Sequence, residues 1–510
     1  MGVKSGRPRP LPVTDRSMKE QLSVEQALSQ AFAHLDAGRI GEARRLARSL
    51  EAQRPEPSAL PYLLGLISLR EGQGRKAAQH LSRALSKTPG AVPPMLAMAR
   101  AQIQQNRLSE GVAAYRRLLA VAPDLAVAWR ELGDLHVAGQ DFTTAAMPLR
   151  RAARVWKALA PLRNNLGIAE RAVGNSQRAA EEFRIAIILD PGAAKPYANL
   201  AGALRKLGLS GLPAEFAVRI APEDAACRIE YGQSLPDEAA VEQFAEAARL
   251  LPGQAEPLWL LAETQARLGR PEEAAASYRR VLSLDPADSF GAQLALAKLG
   301  RGAMPERAAA AHVSALYDQY AGSFDQDLLG NLDYRGPEVI LDGLSGAGVA
   351  GPCDILDAGC GTGLAGLAVK PLARRLDGID LSEKMAEQAR ARGVYDSVAV
   401  ADLVPEMASR IGAYDLVIAA DVLIYLGDLA PVFAAAHDTL RPGGHFAFTV
   451  ERGEGEGYSL QPTGRFAHAD SYLRRLAAGH GFSVLSLDPV VTRRERGQPV
   501  PGLFCLLIRP

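Results

Sequence analysis

The sequence is poor in cysteine and in net charge. Only four cysteines occur in 510 residues, and no two of them form a C-x-x-C pair. The usual zinc-site and disulfide-framework patterns are therefore excluded, so no metal is expected and a reducing cytoplasm fits the composition best. Lysine and arginine number 58 against 57 aspartates and glutamates, a net charge of +1, and this balance argues against a nucleic-acid partner.

Long apolar runs are also missing. No stretch of about eighteen apolar residues occurs, so no membrane-spanning helix is expected. The N-terminal stretch lacks the apolar core of a secretory signal and is rich in proline, glycine and arginine. We expect residues 1–20 to form a disordered lead-in.

Internal repetition dominates residues 22–298. Pro55, Pro89 and Pro123 are 34 residues apart, and Pro191 lies a further 68 residues along the chain. This period predicts helical hairpins in which small residues lie where two helices cross and large residues fill the space beside them. The same step aligns a small column and a large column: Gly65, Ala99, Gly133, Gly167 and Ala201, and Leu81, Tyr115, Leu149 and Phe183.

These columns resemble the tetratricopeptide repeat (TPR) family. We expect about seven to eight units over residues 22–298, with an irregular stretch near 205–240 where the proline spacing falls to 31 and then to 30 residues. The resemblance implies an all-α solenoid whose groove binds a peptide or a partner protein. A structural or dimerising spacer is the alternative.

The pattern changes after Leu299. Residues 299–312 are expected to form a linker, and residues 313–510 a separate domain. From Cys353 onward, short apolar runs alternate with helical stretches, which predicts a parallel sheet covered by helices on both faces. Ligands bind beyond the C-terminal ends of the strands in such a sheet.

The stretch DILDAGCGTGLAG, residues 354–366, follows the first predicted strand. Gly359, Gly361 and Gly363 let the backbone approach a ligand, and they also fit the G-x-G-x-x-G pattern of dinucleotide-binding proteins. Asp357 would repel a pyrophosphate at this place, but it suits a ligand that carries an ammonium group.

Two further acids end the next two strands. Asp380 follows the second strand, where an acid can bind both hydroxyls of a ribose. Asp402 follows the third strand, where it can reach the amino group of an adenine. Asp380 could bind the ribose of NAD equally well, so this acid alone does not identify the ligand.

Together with the R-P-G-G stretch at 441–444, these features resemble the class I S-adenosylmethionine-dependent methyltransferases. More narrowly, the chain is similar to predicted bacterial TPR methyltransferases and to the Williams–Beuren group of methyltransferase-like proteins. The resemblance implies an α/β Rossmann-like domain with a mostly parallel seven-stranded sheet after the TPR array.

The resemblance also implies a set of residues that bind S-adenosylmethionine. The acid and glycines of the first loop would hold its methionine end, Asp380 its ribose, and Leu381 and Met385 its adenine, although Met385 would equally suit the core. Tyr317, Tyr320 and Phe324 would form a lid, or else an amphipathic helix that packs on the sheet. The full set is Asp357, Gly359, Gly361, Gly363, Asp380, Leu381, Met385, Asp402, Leu403, Asp421, Tyr317 and Tyr320.

Three residues are candidates for a part in catalysis. Asp421 and Tyr425 follow the fourth strand, where either could orient a nucleophile; a helix cap and core packing are their alternatives. His468 lies in an irregular stretch after the fifth strand and could act as a base, or else as a capping or loop histidine.

The resemblance implies transfer of a methyl group from S-adenosylmethionine to a small-molecule or protein acceptor. Methyl transfer depends mainly on in-line positioning and needs a general base only when the nucleophile is protonated. Two alternatives stay open: a TPR scaffold with a catalytically silent cofactor-binding domain, and a NAD-dependent oxidoreductase.

Overall fold

The computed structural model describes residues 23–51, 59–209, 212–322, 324–331, 333–495 and 497–510. The predicted lead-in over residues 1–20 lies outside these ranges. The chain divides into two compact units, Met1–Ile220 and Ala221–Pro510.

The described part of the first unit is built from helices. They form antiparallel hairpins in chain order, and each hairpin packs on the next one. The helices are α1 (Val24–Asp36), α2 (Ile40–Glu51), α3 (Leu60–Arg70), α4 (Gly74–Lys87), α5 (Val92–Gln104), α6 (Leu108–Val121), α7 (Ala126–Ala138), α8 (Phe142–Val155), α9 (Ala160–Ala172), α10 (Ser176–Leu189), α11 (Ala194–Lys206) and α12 (Leu212–Ile220).

Small residues face large ones where the helices of a hairpin cross. A Cβ atom built on Gly65 would lie 2.6 Å from Cγ of Leu81, and one built on Gly133 would lie 2.5 Å from Cγ of Leu149. The two columns that the 34-residue period aligns therefore meet in space, because the close approach leaves no room for a side chain on the glycine.

The second unit begins with α13 (Ala225–Ser234), α14 (Asp237–Leu250), α15 (Ala255–Arg267), α16 (Pro271–Leu284) and α17 (Ala292–Lys298). The irregular stretch predicted near 205–240 contains two short helices, since α12 has nine residues and α13 has ten. Among the described residues, no helix is both long enough and apolar enough to cross a membrane.

The rest of the second unit alternates strands with helices. The helices are α18 (Ala310–Tyr320), α19 (Phe324–Asn331), α20 (Gly336–Gly346), α21 (Leu364–Val369), α22 (Glu383–Ala391), α23 (Leu403–Ala408), α24 (Ala430–Thr439) and α25 (Asp470–Gly479). The strands are β1 (Cys353–Ala358), β2 (Ala373–Asp380), β3 (Ser397–Val400), β4 (Tyr414–Ala419), β5 (Leu440–Arg452), β6 (Tyr458–Leu460), β7 (Phe466–His468), β8 (Ser483–Glu495) and β9 (Gln498–Ile508).

Seven of these strands form the main sheet in the order β3-β2-β1-β4-β5-β9-β8. The first five run parallel, whereas β9 lies antiparallel between β5 and β8. The predicted Rossmann-like, mostly parallel seven-stranded sheet is confirmed. Two short strands, β6 and β7, extend it beside the end of β5.

Both faces of the sheet are covered, which explains the apolar runs in its strands. Successive residues of β1 enter different cores: Leu356 packs with Phe433 and Phe448, whereas Ile355 packs with Ile340 of α20. With both faces closed by helices, the exposed C-terminal edge of the strands is left for a ligand.

Candidate active site

A cavity of about 440 Å³ lies at the C-terminal edge of the parallel strands. The residues that directly follow β1, β2, β3 and β4 line it: 359–362, 380–382, 401–403 and 420–422. Its volume falls within the range of about 300–1,000 Å³ that is usual for small-molecule sites.

The cavity has two parts, which follow the strand order of the sheet. The glycine-loop end lies beside β1, β2 and β3. The arginine end lies beside β4, β5 and β8. The glycine-loop end includes Gly359, Gly361, Asp380 and Asp402, and the arginine end includes Asp421, Tyr425, Arg465 and Arg493.

The loop after β1 closes tightly on its neighbours. Gly359 has a φ of +83°, and a Cβ atom there would lie 2.4 Å from Cγ2 of Val422. Glycine therefore fits here and a larger residue does not. The N–H groups of Gly359 and Cys360 donate to the Ile379 carbonyl at 2.7 and 2.9 Å, which fixes the loop against β2.

Asp380 joins the end of β2 to this loop. Its Oδ2 accepts from the N–H of Gly361 at 2.8 Å, and its Oδ1 accepts from the N–H of Ser382 at 2.9 Å. Burial raises the pKa of Asp380, and these backbone donors oppose the rise. Each oxygen has capacity for a further donor, so the carboxylate suits a pair of ribose hydroxyls.

Asp402 is fixed on two sides. Its Oδ1 caps α23 by accepting from the N–H of Val404 at 3.2 Å, and its Oδ2 accepts from Nη2 of Arg307 at 2.6 Å. Nε of Arg307 is buried and has no acceptor among the described residues. Arg307 thus orients the acid that was predicted to reach an adenine.

Arg307 comes from the stretch predicted as a linker. The N–H of Ala308 donates to the Tyr425 carbonyl at 2.8 Å, and the N–H of Gly427 donates to the Glu306 carbonyl at 2.7 Å. Residues 306–308 therefore belong to the wall of the cavity, and a fragment that retains the whole site must include them. The domain boundary at residue 313 stays a prediction.

Three aromatic residues cover the cavity. The rings of Tyr317 and Phe324 meet edge to face at 5.8 Å, and those of Tyr320 and Phe324 at 5.3 Å. The hydroxyls of Tyr317 and Tyr425 are 2.8 Å apart, and one donates to the other. Burial raises the pKa of Tyr317 well above its ordinary value, so this phenol is neutral at neutral pH.

Hydrogen bonds attach the aromatic cover to α22. Oγ of Ser382 donates to Oδ1 of Asp318 at 2.5 Å, and Nε2 of Gln388 donates to the Ala321 carbonyl at 2.6 Å. The cover thus lies over the residues that follow β2. The predicted lid function of Tyr317 and Tyr320 stays a prediction.

Arg493 is the centre of a buried ion-pair network at the arginine end. Its side chain is 4% exposed, and its Nη1 donates to Oδ2 of Asp421 at 2.7 Å. Its other nitrogens bind the carboxylates of Glu451 and Glu495, and Glu495 also pairs with Arg465. Burial alone would lower the pKa of Arg493, but the three acids raise it above its ordinary value.

Asp421 has little freedom within this network. It has a positive φ of +57°, and its N–H donates to Oγ1 of Thr449 at 2.9 Å. Its carboxylate also accepts from Oγ1 of Thr492 at 3.2 Å. Because Arg493 already pairs with it, Asp421 is better suited to hold position than to take up a proton.

Most of the predicted site residues line this cavity. Among the described residues, four of them do not. Those that line it are Gly359, Gly361, Asp380, Leu381, Asp402, Leu403, Asp421, Tyr425, Tyr317 and Tyr320; those that do not are Asp357, Gly363, Met385 and His468.

Asp357 lies beneath the glycine loop and is fully buried. Its Oδ2 accepts from the Tyr395 hydroxyl at 2.7 Å, whereas its Oδ1 has no partner among the described residues. Burial raises the pKa of Asp357 to about 7, and the nearby charge of Asp380 adds to the rise. The predicted direct contact with a ligand is therefore corrected to a position behind the loop.

Gly363 and Met385 have structural positions. A Cβ atom on Gly363 would lie 3.0 Å from Cδ of Arg392 and from Cε2 of Tyr395, so this glycine permits packing at the start of α21. Met385 is fully buried in α22. The core alternative for Met385 therefore replaces the predicted adenine contact.

The prediction that His468 acts as a base is also corrected. The side chain is fully buried, and its Nε2 lies 2.9 and 3.1 Å from the carbonyls of Leu426 and Gly427, so Nε2 carries a proton and donates. Burial lowers the pKa of His468 to about 4. His468 therefore fixes the chain after β4, as the structural alternative proposed.

The lining residues that the sequence did not single out include Arg307, Tyr334 and Arg493. Each comes from a stretch without a recognisable motif. The dense charge of TRRER, residues 492–496, is the one available signal, because charges seldom enter a strand unless they have partners.

Comparisons with known proteins agree with these two kinds of structure. Residues 356–446 match a family described as a methyltransferase domain. Residues 28–92, 68–142 and 255–288 match families described as tetratricopeptide repeats. The methyltransferase match includes the glycine loop, Asp380, Asp402 and Asp421, but it ends before Arg465 and Arg493.

One curated relative is methyltransferase-like protein 27 of Homo sapiens. It is 37% identical over 91 residues, which are 17% of this chain and 36% of that protein. The chain therefore spans about a third of the length of this relative.

Solved structures resemble each part separately. An S-adenosylmethionine-dependent methyltransferase from Mesorhizobium loti is 22% identical, with a TM-score of 0.27 over 33% of this chain and 100% of its own. A fragment of MamA from Desulfovibrio magneticus RS-1 is 18% identical, with a TM-score of 0.31 over 32% of this chain and 93% of its own. The family matches show that the chain carries tetratricopeptide repeats followed by a methyltransferase domain.

Proposed function

We propose that the chain transfers a methyl group from S-adenosylmethionine to a small-molecule acceptor bound in the cavity of the second unit. The observation that carries this proposal is the placement of Asp380. It lies at the cavity wall at the end of β2, with one oxygen on the glycine loop and the other on the next turn. Both oxygens keep capacity for the two hydroxyls of a ribose.

The other lining residues fit the remaining parts of this cofactor. Leu381 and Leu403 offer apolar contacts for an adenine, and Asp402 would accept from its amino group. The backbone of the glycine loop would receive the amino-acid end. When bound, S-adenosylmethionine supplies a methyl group on a sulfonium, whose carbon–sulfur electron pair stays with sulfur on transfer.

The chain itself contributes position and the exclusion of water. Tyr317, Tyr320 and Phe324 cover the cavity, and their edge-to-face contacts limit their movement. Since His468 is buried elsewhere and Asp421 is paired with Arg493, we propose that the acceptor presents an unprotonated nucleophile. Alignment of this nucleophile with the methyl group then gives most of the acceleration.

A binding experiment tests the cofactor. Calorimetry should detect binding of S-adenosylhomocysteine, the product of the reaction, and should detect no binding of NAD. Tight binding of NAD instead would favour the oxidoreductase alternative. A labelled-methyl screen on cell extract should then give labelled small molecules. Cofactor binding with no labelled product from any extract would favour a catalytically silent domain.

We further propose that the repeats of the first unit bind a protein or peptide partner, in a reducing cytoplasm. Stacked hairpins present extended surfaces that are usually used for binding. On this proposal, deletion of residues 1–220 should leave kcat/KM on a small acceptor unchanged. A loss of about tenfold or more, or about 1.4 kcal/mol, would show that the repeats present the substrate.

A further inference from the structure

Arg465, at the arginine end of the cavity, has hydrogen-bond donors that no described residue accepts. It precedes β7 and lines the cavity, and its side chain is 26% exposed. Its Nη1 binds the carboxylate of Glu495 and lies 3.6 Å from Oε1 of Glu451. Among the described residues, no group accepts from its Nε or its Nη2. These two nitrogens form one edge of a planar fork.

The tyrosine pair beside Arg465 supplies another donor. The hydroxyls of Tyr317 and Tyr425 are 2.8 Å apart. In such a pair one hydroxyl donates to the other, so one proton remains for a third group. No acceptor for that proton occurs among the described residues. The lining at this place therefore has more donors than acceptors, which is what an oxygen-rich anion requires.

The charges around the fork limit the kind of anion. Arg465 and Arg493 carry two positive charges, and Asp421, Glu451 and Glu495 carry three negative ones. A net charge of −1 attracts no anion by itself, so recognition of a carboxylate must depend on directed hydrogen bonds. Two parallel donors on one guanidinium edge match the two oxygens of a carboxylate.

We propose that Arg465 binds a carboxylate of the methyl acceptor through Nε and Nη2, so that the acceptor is a small carboxylic acid. This inference rests on the proposed methyltransferase function and names the substrate class of its site. Bidentate binding would fix the acceptor in one orientation beside the hydrogen-bonded pair of Tyr317 and Tyr425. Its nucleophile would then face the glycine-loop end, where the methyl group would lie.

A carboxylate at this place has two possible sources, since S-adenosylmethionine also carries one. We assign it to the acceptor because Arg465 lies outside residues 356–446, the range that matches methyltransferase domains. Arg465 comes instead from the stretch between β6 and β7, which extends the sheet of this chain. A residue outside the shared range suits the recognition of a particular acceptor better than the recognition of a shared cofactor.

The test uses the full-length chain saturated with S-adenosylhomocysteine. Benzoate is the probe, because it offers a carboxylate on a flat apolar ring, and benzamide is its neutral counterpart. Binding is measured by calorimetry on wild type, Arg465→Gln, Arg465→Lys and the control Arg494→Gln. Arg494 is the neighbour of Arg493, is 49% exposed and does not line the cavity.

We expect Arg465→Gln to weaken benzoate binding at least tenfold and to leave S-adenosylhomocysteine binding within twofold. Arg465→Lys keeps the charge but loses the fork, so it should weaken benzoate several-fold. Arg494→Gln should change neither affinity. Circular dichroism reports the folded state of each variant independently of ligand binding, and Arg465→Lys replaces Arg465→Gln as the test variant if Arg465→Gln does not fold.

Three results would overturn the proposal. Equal binding of benzoate and benzamide would show that no carboxylate subsite exists. Weaker binding of S-adenosylhomocysteine in the folded Arg465 variants, with benzoate unchanged, would assign the carboxylate to the cofactor. Absence of S-adenosylhomocysteine binding in wild type would overturn the proposed function itself, which separates that failure from the failure of the acceptor assignment.

Discussion

The glycine-loop end of the cavity is built mainly from backbone groups, whereas the arginine end is built from charged side chains. At the glycine-loop end, Asp380 is fixed by two N–H groups within nineteen residues of itself. At the arginine end, Asp421 is fixed by Thr449, Thr492 and Arg493, which come from β5 and β8.

Because of this difference, we expect the glycine-loop end to determine cofactor affinity and the arginine end to contribute more to stability. Backbone donors at the glycine-loop end are held by the fold and suit a ligand that many enzymes share. Ion pairs at the arginine end must recover the cost of removing five charges from water, so each charge depends on its partners. Substitutions at the arginine end should therefore affect folding most, and those at the glycine-loop end should affect cofactor affinity most.

The largest expected effect follows replacement of Arg493. Arg493→Met should lower the free energy of unfolding by about 3–5 kcal/mol, because the buried carboxylate of Glu451 and the half-buried carboxylates of Asp421 and Glu495 lose their common partner. Urea unfolding measures the change. Arg494→Met is the matched control, since its contact with Asp333 is 3.5 Å long and exposed, and it should change stability by less than about 1 kcal/mol. If Arg493→Met and Arg494→Met lowered the free energy of unfolding equally, the arginine end would have no special part in stability.

Asp380 gives the next largest effect, at the other end. Asp380→Ala should weaken S-adenosylhomocysteine binding by roughly tenfold to several hundredfold, because hydrogen bonds to a charged group contribute about 1.5–3 kcal/mol. Calorimetry on folded protein measures it. Glu383→Gln, an exposed change three residues along, is the control and should leave affinity unchanged. An unaltered affinity in Asp380→Ala would contradict the ribose assignment.

The glycine-loop end could be predicted from the sequence because its parts are local. Gly359, Gly361 and Asp380 lie within one strand-turn-helix-strand segment, and the alternation of apolar runs located that segment. The repeats were predictable for a similar reason, since the 34-residue period pairs Gly65 with Leu81 and Gly133 with Leu149.

The arginine end could not be predicted in the same way. Arg465 and Arg493 meet Glu451 and Glu495 only after β5, β7, β8 and β9 have assembled in the sheet, and no fixed spacing relates them. The burial of His468 could not be predicted for the same reason, because its partners, Leu426 and Gly427, are about forty residues away. Contacts of this kind depend on tertiary packing, which motif spacing does not describe.

Asp357 should make stability depend on pH. Burial raises its pKa in the folded state to about 7, against about 3.9 in an unfolded chain. Between these values the folded state holds the proton and the unfolded state does not, so stability falls as pH rises and this contribution levels off above pH 7. The fall between pH 5 and pH 7 should be about 2 kcal/mol, at 1.36 kcal/mol per pKa unit.

The variant Asp357→Asn should lose this dependence and should be more stable than wild type at pH 8. Urea unfolding of both proteins from pH 5 to pH 8 measures the difference. Asp342→Asn, at an exposed position of α20, should follow the wild-type curve. Parallel curves for wild type and Asp357→Asn would mean that Asp357 is ionised in the folded protein, as direct contact with an ammonium group would require.

Arg307 should give the smallest effect, because its contact with Asp402 is partly exposed. The Arg307 side chain is 38% exposed and that of Asp402 is 24% exposed, and such pairs contribute about 0.2–1 kcal/mol. Arg307→Gln should therefore weaken S-adenosylhomocysteine binding by no more than about fivefold, since Asp402 loses the group that orients it. Arg301→Gln is the control, because Arg301 pairs with Glu272 and does not line the cavity. Tighter binding in Arg307→Gln would contradict the expectation and would show that Arg307 competes with the adenine amino group for Asp402.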